Sequence, residues 1–166
     1  TAALTRLQLE AVPEPYILTR VSDDIDRARK ALMMTPSRKI DLVDSLSQMQ
    51  ATWRGICEIQ VNITERAGRS LLKNNDACLC VNEILKEAVS NAVRHGEAKN
   101  ISIEIDRHED FDLEIVVTND GVPLAKQTKL GVGSRLIEEL TTCWSLTSNK
   151  ATGLTVFMAK LPLQRS

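Results

Sequence analysis

The chain has 166 residues, 43% of them apolar, which suits one domain with a sizeable core, or one domain plus a helical appendage. Its formal net charge is -1, with acids and bases mixed along the length, so there is no electrostatic footprint for nucleic acid or for a membrane surface. The only aromatics are Tyr16, Trp53, Phe111, Trp144 and Phe157, so the core must be built mainly from aliphatic side chains.

Residues 1–35 read as largely helical and polar. Val21, Ile25, Ala28, Ala31 and Leu32 recur at helical spacing between charged residues, Pro13 and Pro15 interrupt the start, and Pro36 ends the segment. Ser37 is placed to cap a following helix over Arg38–Trp53, with Ile40, Leu42, Val43, Leu46 and Met49 as its apolar positions. From Ile56 the period changes: Ile59, Val61 and Ile63 alternate with polar residues and predict a half-buried strand. A short helix over Glu65–Leu72 is followed by the strongest helix of the chain, Asn75–Glu97. Strands are predicted at Ile101–Ile105 and Phe111–Thr118, joined by a polar turn at Arg107–Asp110. Asn119-Asp120-Gly121 is a turn signal, and a loop runs on to Leu130. A helix over Gly133–Thr142 precedes strands at Trp144–Ser148 and Leu154–Leu161, with a turn at Asn149–Gly153. Runs of helices beside hairpin-connected strands predict an α+β fold, a two-layer α/β sandwich with a mixed sheet, preceded by an N-terminal helical segment. The predicted division is a helical segment 1–36 and a domain 37–166.

Cys57, Cys78, Cys80 and Cys143 show neither a disulfide framework nor a zinc spacing, and are expected to be buried small hydrophobes in a reducing compartment. No apolar run reaches the roughly 20 residues that span a bilayer, and Thr1–Glu10 has no signal-peptide core. A cytoplasmic domain is expected. The absence of an initiator Met suggests a piece of a longer protein, tied to a membrane, if at all, only through a region upstream.

Four features carry chemistry. On the helix 81–95, Val81, Ile84, Leu85, Ala88, Val89, Ala92 and Val93 form one apolar stripe, and Glu87 and Asn91, at i and i+4, stack along its edge. Asn91 offers an amide oxygen suited to Mg²⁺, Glu87 a carboxylate that accepts a proton or holds water, and Arg94 a cation to offset phosphate charge. Asn119 can pair with the edge of a base, and Gly121 permits close backbone approach. Gly131, Val132, Gly133 and Ser134 lead into a helix whose N-terminal N–H groups can hold phosphate, with Ser134 as a possible cap and Lys126 and Lys129 in the preceding loop. Thr155, after Gly153, opens the last strand with a hydroxyl. Each feature taken singly is equally at home on an ordinary solvated helix edge, turn, capped helix or strand.

In this order the features resemble the ATPase domains of sensor histidine kinases, a superfamily shared with gyrase, heat-shock chaperones and mismatch-repair ATPases. Glu87-Ala-Val-Ser-Asn91-Ala-Val-Arg94-His95-Gly96 is similar to the asparagine box, and Asn119-Asp120-Gly121 to the first glycine box. Gly131-Val132-Gly133-Ser134 is similar to the second glycine box, and Gly153-Leu154-Thr155 to the closing glycine-threonine strand. The resemblance covers roughly residues 38–163. It implies ATP and Mg²⁺ as ligands, with Arg94, His95, Asn119, Gly121, Lys129, Gly131, Val132, Gly133, Ser134 and Thr155 beside Glu87 and Asn91 in the nucleotide site. Asn119 stands where the family usually has an adenine-binding aspartate, and Pro123 and Leu154 where it has glycines. The short segment Val122–Leu130 and the lack of a phenylalanine box resemble the nitrate-sensor and lipid-fluidity-sensor branch.

By the same resemblance, Ile17–Met34 looks like the end of a dimerisation hairpin, implying a homodimer through the N-terminal helices. The resemblance also implies transfer of the γ-phosphoryl group to a histidine, and onward to a response regulator. Neither His95 nor His108 occupies an acceptor position, so the acceptor is expected outside this chain. The alternatives are an anti-sigma-factor-type serine kinase on the same fold, and a degenerate, non-catalytic module.

Overall fold

The computed structural model describes residues 40–108, 112–122 and 132–163, all within the second of two compact units, which spans Lys39–Ser166. The helical segment predicted over 1–36, Ser37, Pro123, Lys126, Lys129 and Gly131 lie outside the described residues.

Helix α1 spans Leu42–Trp53. Its N-cap is Asp41, whose Oδ1 accepts from the Val43 N–H at 2.9 Å and the Asp44 N–H at 3.3 Å. The helix therefore begins later than the start predicted at Arg38, and with a different cap from Ser37. Leu42, Leu46 and Met49 are buried, but Val43, predicted to be apolar-facing, is 67% exposed. Gly55, at φ 84°, turns the chain out of the helix, a left-handed conformation that costs glycine nothing. Strand β1, Glu58–Ile63, follows.

Helices α2, Glu65–Lys73, and α3, Asn75–Arg94, share one junction residue. Asn74 ends the first, and its Oδ1 accepts from the Ala77 N–H at 2.9 Å to start the second. Thr64 caps α2 and also donates to Asp106 Oδ1 at 2.7 Å, fixing the α2 start against strand β2, Asn100–Arg107. The hydrogen bond from Thr64, with the Arg107 N–H beside it, holds the Asp106 carboxyl below the usual range. The apolar stripe predicted on α3 is buried from Val81 to Ala92, with Val93 half-buried.

Strand β3, Leu113–Asn119, helix α4, Val132–Leu140, and strands β4, Cys143–Asn149, and β5, Leu154–Leu161, complete the described elements. The sheet runs β1-β2-β3-β5-β4. β1 and β2 are parallel, joined through α2 and α3, and the remaining pairs are antiparallel. The sheet is thus mixed, as predicted. Alternation sends Ile101, Ile103, Ile105, Leu113, Ile115, Val117, Phe157, Ala159 and Leu161 to one face. The helices cover that face, giving one core between two layers. The other face carries Gln60, Ser102, Glu104, Thr118 and Met158, half-buried or exposed.

The cysteines divide. Cys57 and Cys78 are buried as expected, and burial raises their thiols above the ordinary pKa. Cys80 is only half-buried, and Cys143 is exposed because it opens the edge strand β4. No helix among the described residues is long and apolar enough to cross a membrane.

Candidate functional site

Glu87 and Asn91 lie one turn apart on α3, both half-buried where the apolar stripe meets the surface. Asn91 Nδ2 donates to Glu87 Oε1 at 2.8 Å. That bond orients the amide, commits its N–H₂ group to Glu87 and leaves Oδ1 turned to other partners.

α3 does not continue to Glu97, as its periodicity suggested, but ends at Arg94 with His95 as C-cap. The Asn91 carbonyl accepts from both the His95 N–H at 3.0 Å and the Gly96 N–H at 3.2 Å, and the Ala98 N–H reaches the Ala92 carbonyl at 3.1 Å. Glu97 takes a left-handed φ of 54°, which breaks the helical ladder. Arg94 and His95 are exposed at this helix end, and His95 donates only its backbone in the cap.

Gly96 joins this helix end to the end of β3. The Val122 N–H donates to the Gly96 carbonyl at 2.6 Å. A Cβ on Gly121 would overlap that same carbonyl oxygen and stand 2.7 Å from its carbon, so only glycine fits at 121. A Cβ on Gly96 would stand 2.6 Å from the Ala92 carbonyl oxygen, so position 96 is equally closed. The side-chain nitrogen of Asn119 sits over both glycines, 3.0 Å and 3.5 Å from those hypothetical Cβ positions.

Asn119 ends β3 and is 6% exposed. Its register partner on β5 is Thr155, 3% exposed, and Thr155 Oγ1 shares a hydrogen bond of 2.9 Å with Ser148 Oγ on β4. Four buried polar residues are found among the described residues: Ser70, Asn82, Asn119 and Thr155. Ser70, Asn82 and Thr155 are hydrogen-bonded through their side chains, and Asn119 makes no side-chain hydrogen bond to a described residue.

Asp120 has a separate task. Its Oδ1 accepts from the N–H groups of Lys99 at 2.8 Å and Asn100 at 2.9 Å, and its Oδ2 from Asn100 Nδ2 at 2.7 Å. The Asn100 amide, then the backbone donors, hold this carboxyl below the usual aspartate range. Asp120 thereby clamps the end of β3 to the start of β2 and holds the Gly96–Gly121 contact.

The structure thus brings Asn119, Gly121 and Thr155 together, and joins them through Gly96 to the helix turn that carries Asn91 and Glu87. Val132, Gly133 and Ser134 form the first turn of α4, which packs against α3. Ser134 lies inside that helix and is therefore not its N-cap, and Gly133 is helical as predicted, with the helix starting one residue earlier, at Val132. The first-turn N–H groups of an α-helix have no intrahelical acceptors, a property on which an anion-holding role for α4 would rest. Lys129 and Gly131 fall outside the described residues. Sequence reasoning did not single out Gly96, Asp120 or Ser148 for the site. The first two carried a signal, a glycine just past a helix end and an Asx turn, whereas Ser148 is found only through strand register.

No group of three or more His, Cys, Asp or Glu side chains that could hold a metal occurs among the described residues. Mg²⁺ does not need one. It keeps several waters and uses one or two protein oxygens plus phosphate, and the free Oδ1 of Asn91 suits that role.

Residues 79–165 match the family described as Histidine kinase-, DNA gyrase B-, and HSP90-like ATPase. No curated protein matches the chain. Among solved structures, the blue-light activated histidine kinase of Erythrobacter litoralis EL346 aligns with TM-score 0.56 at 16% identity, over 75% of this chain and 46% of that one. The chain thus spans less than half the length of that kinase. The histidine kinase AdeS of Acinetobacter baumannii aligns with TM-score 0.54 at 13% identity, over 99% of this chain and 94% of that one. Full-length ShkA in complex with AMPPNP aligns with TM-score 0.50 at 17% identity, over 77% of this chain and 31% of that one. At such identities the likeness is one of fold. The family match itself covers over half of the chain and takes in all four sequence features, from Glu87 to Thr155, and the chain therefore belongs to the histidine kinase-, DNA gyrase B- and HSP90-like ATPase family.

Proposed function

We propose that this chain is the ATP-binding catalytic domain of a two-component sensor histidine kinase, of the nitrate-sensor and lipid-fluidity-sensor kind. The observation that supports this most is Asn119, 6% exposed and without a side-chain hydrogen bond to a described residue, beside two glycines that admit no side chain. Its donor and acceptor reach no described partner, and a purine edge would match both.

In this reading Asn119 holds the base, Thr155 lies next to it, and Gly121 keeps the backbone low enough for the ring to approach. Arg94 and His95, with Lys129, would offset the phosphate charge. Gly131, Val132, Gly133 and Ser134 present backbone N–H groups to them at the α4 start. Asn91 Oδ1 would hold Mg²⁺, which offsets charge on the β- and γ-phosphates when bound. The transferred group is the γ-phosphoryl. Its bond to the β-phosphate oxygen breaks, a bond to an imidazole nitrogen of a histidine outside this chain forms, and ADP leaves. Glu87, held 2.8 Å from the Asn91 amide, accepts the imidazole proton directly or through a water. The residues 1–36 would belong to the dimerisation hairpin, the phosphoryl group would pass on to a response regulator, and the domain would work in the cytoplasm.

Calorimetric titration with a non-hydrolysable ATP analogue tests the assignment. Wild-type affinity should rise at least about tenfold with Mg²⁺, and Asn91→Ala should lose that gain while keeping Mg²⁺-free binding. Equal Mg²⁺ dependence in the two proteins would remove Asn91 from the role.

A further inference from the structure

Asn119 differs from the other buried polar groups in what surrounds it. Its amide stands over Gly96 and Gly121, which offer no side-chain partner, and its register neighbours are Ile101 and Thr155. The Thr155 hydroxyl is already engaged with Ser148 Oγ. The nearest carboxylate in sequence, Asp120, is turned to Lys99 and Asn100. No hydrogen bond within the described residues therefore fixes which way round the amide lies.

A side-chain amide carries an acceptor and a donor on one carbon, and rotation by half a turn exchanges them. Where one end is tied, as in Asn91, the exchange is blocked. At Asn119 no such tie exists among the described residues. A 6-amino purine presents a donor at N6 beside an acceptor ring nitrogen. A 6-oxo purine presents an acceptor at O6 beside a donor N1–H. An untied amide matches the first edge in one orientation and the second in the other.

We infer that this site takes purine nucleoside triphosphates of both kinds, 6-amino and 6-oxo, with Asn119 as the residue that permits both. The inference rests on the nucleotide reading above and deepens it from ATP to a class of purine nucleotides. Base selectivity is weak because the one buried group that reads the 6-position can present either hydrogen-bond polarity.

The test titrates the full chain, with Mg²⁺, against the β,γ-imido triphosphates of adenosine and inosine, which differ at the 6-position and N1 but carry no 2-amino group. The expected dissociation constants lie within about tenfold of each other. In Asn119→Ala both the donor and the acceptor are lost, so both analogues should bind about tenfold or more weakly. Tight adenosine binding with inosine roughly a hundredfold or more weaker would overturn the inference and leave the ATP reading standing. Unchanged affinity for either analogue in Asn119→Ala would overturn the role of Asn119. Binding of neither analogue by folded protein would defeat the ATP reading itself, and this inference with it. The wild-type ratio decides the matter even if the variant does not fold.

Discussion

At position 121 the chain has room for a hydrogen and nothing larger, because the Gly96 carbonyl occupies the place of a side chain. Gly121→Ala must push β3 away from the end of α3. It should destabilise the domain by about 2–3 kcal/mol, read as a lowered urea midpoint. Asp120 acts next door through charge. Its carboxyl is held below the ordinary range by Asn100 and the adjoining backbone donors, so the folded state releases this proton more readily than the unfolded chain. The stabilisation is complete above the ordinary aspartate range and is lost as pH falls through the lowered folded value. Losing its three accepted hydrogen bonds, on an exposed and solvent-screened carboxyl, Asp120→Ala should cost less than about 1 kcal/mol near neutrality. The gap between variant and wild type should close below about pH 4, in paired denaturation curves across pH. A gap that is constant down to acid pH would contradict the clamp.

Among the elements, α3 was the most readable from sequence, since a stripe from Val81 to Ala92 at 3.6-residue spacing has one interpretation. Its end was placed three residues too late, at Glu97: Glu97 is a good helix former, and the glycine signal at Gly96 marks the place where the chain leaves the helix and meets the end of β3. The same division holds elsewhere. β5 matches its prediction because alternation is local, whereas the α1 cap was misplaced because Ser37 and Asp41 are both good caps and packing chooses between them. Asn82 also escaped notice. It reads as one polar interruption of a buried stripe, yet at 2% exposure its Oδ1 accepts from Ser45 Oγ at 2.8 Å and binds α3 to α1. Asn82→Ala should leave the Ser45 hydroxyl without that acceptor and cost about 1–3 kcal/mol in thermal or chemical unfolding. A loss below a few tenths would mean that the contact contributes nothing.

On the scale of the whole molecule, the mixed sheet explains why motifs distant in sequence form one site. Antiparallel pairing sets Asn119 beside Thr155, and the same pairing sets Thr155 beside Ser148. The parallel crossover from β1 to β2 carries α3 across the buried face, so its C-terminal end meets the end of β3. Residue types at Glu87, Asn91 and Asn119 were legible as chemistry from the sequence. Their convergence depends on strand order and register, which local patterns do not encode, and Ser148 had no local signal at all.

The most direct measurement is a two-dimensional NMR titration of the labelled chain with Mg²⁺ and a non-hydrolysable ATP analogue. The account predicts that the side-chain amides of Asn91 and Asn119, and the backbone amides of Gly96 and Gly121, shift together and saturate at one ligand concentration. Those four groups staying unmoved in a folded chain, with no response or with shifts confined elsewhere, would contradict a nucleotide site at the junction of α3 and β3.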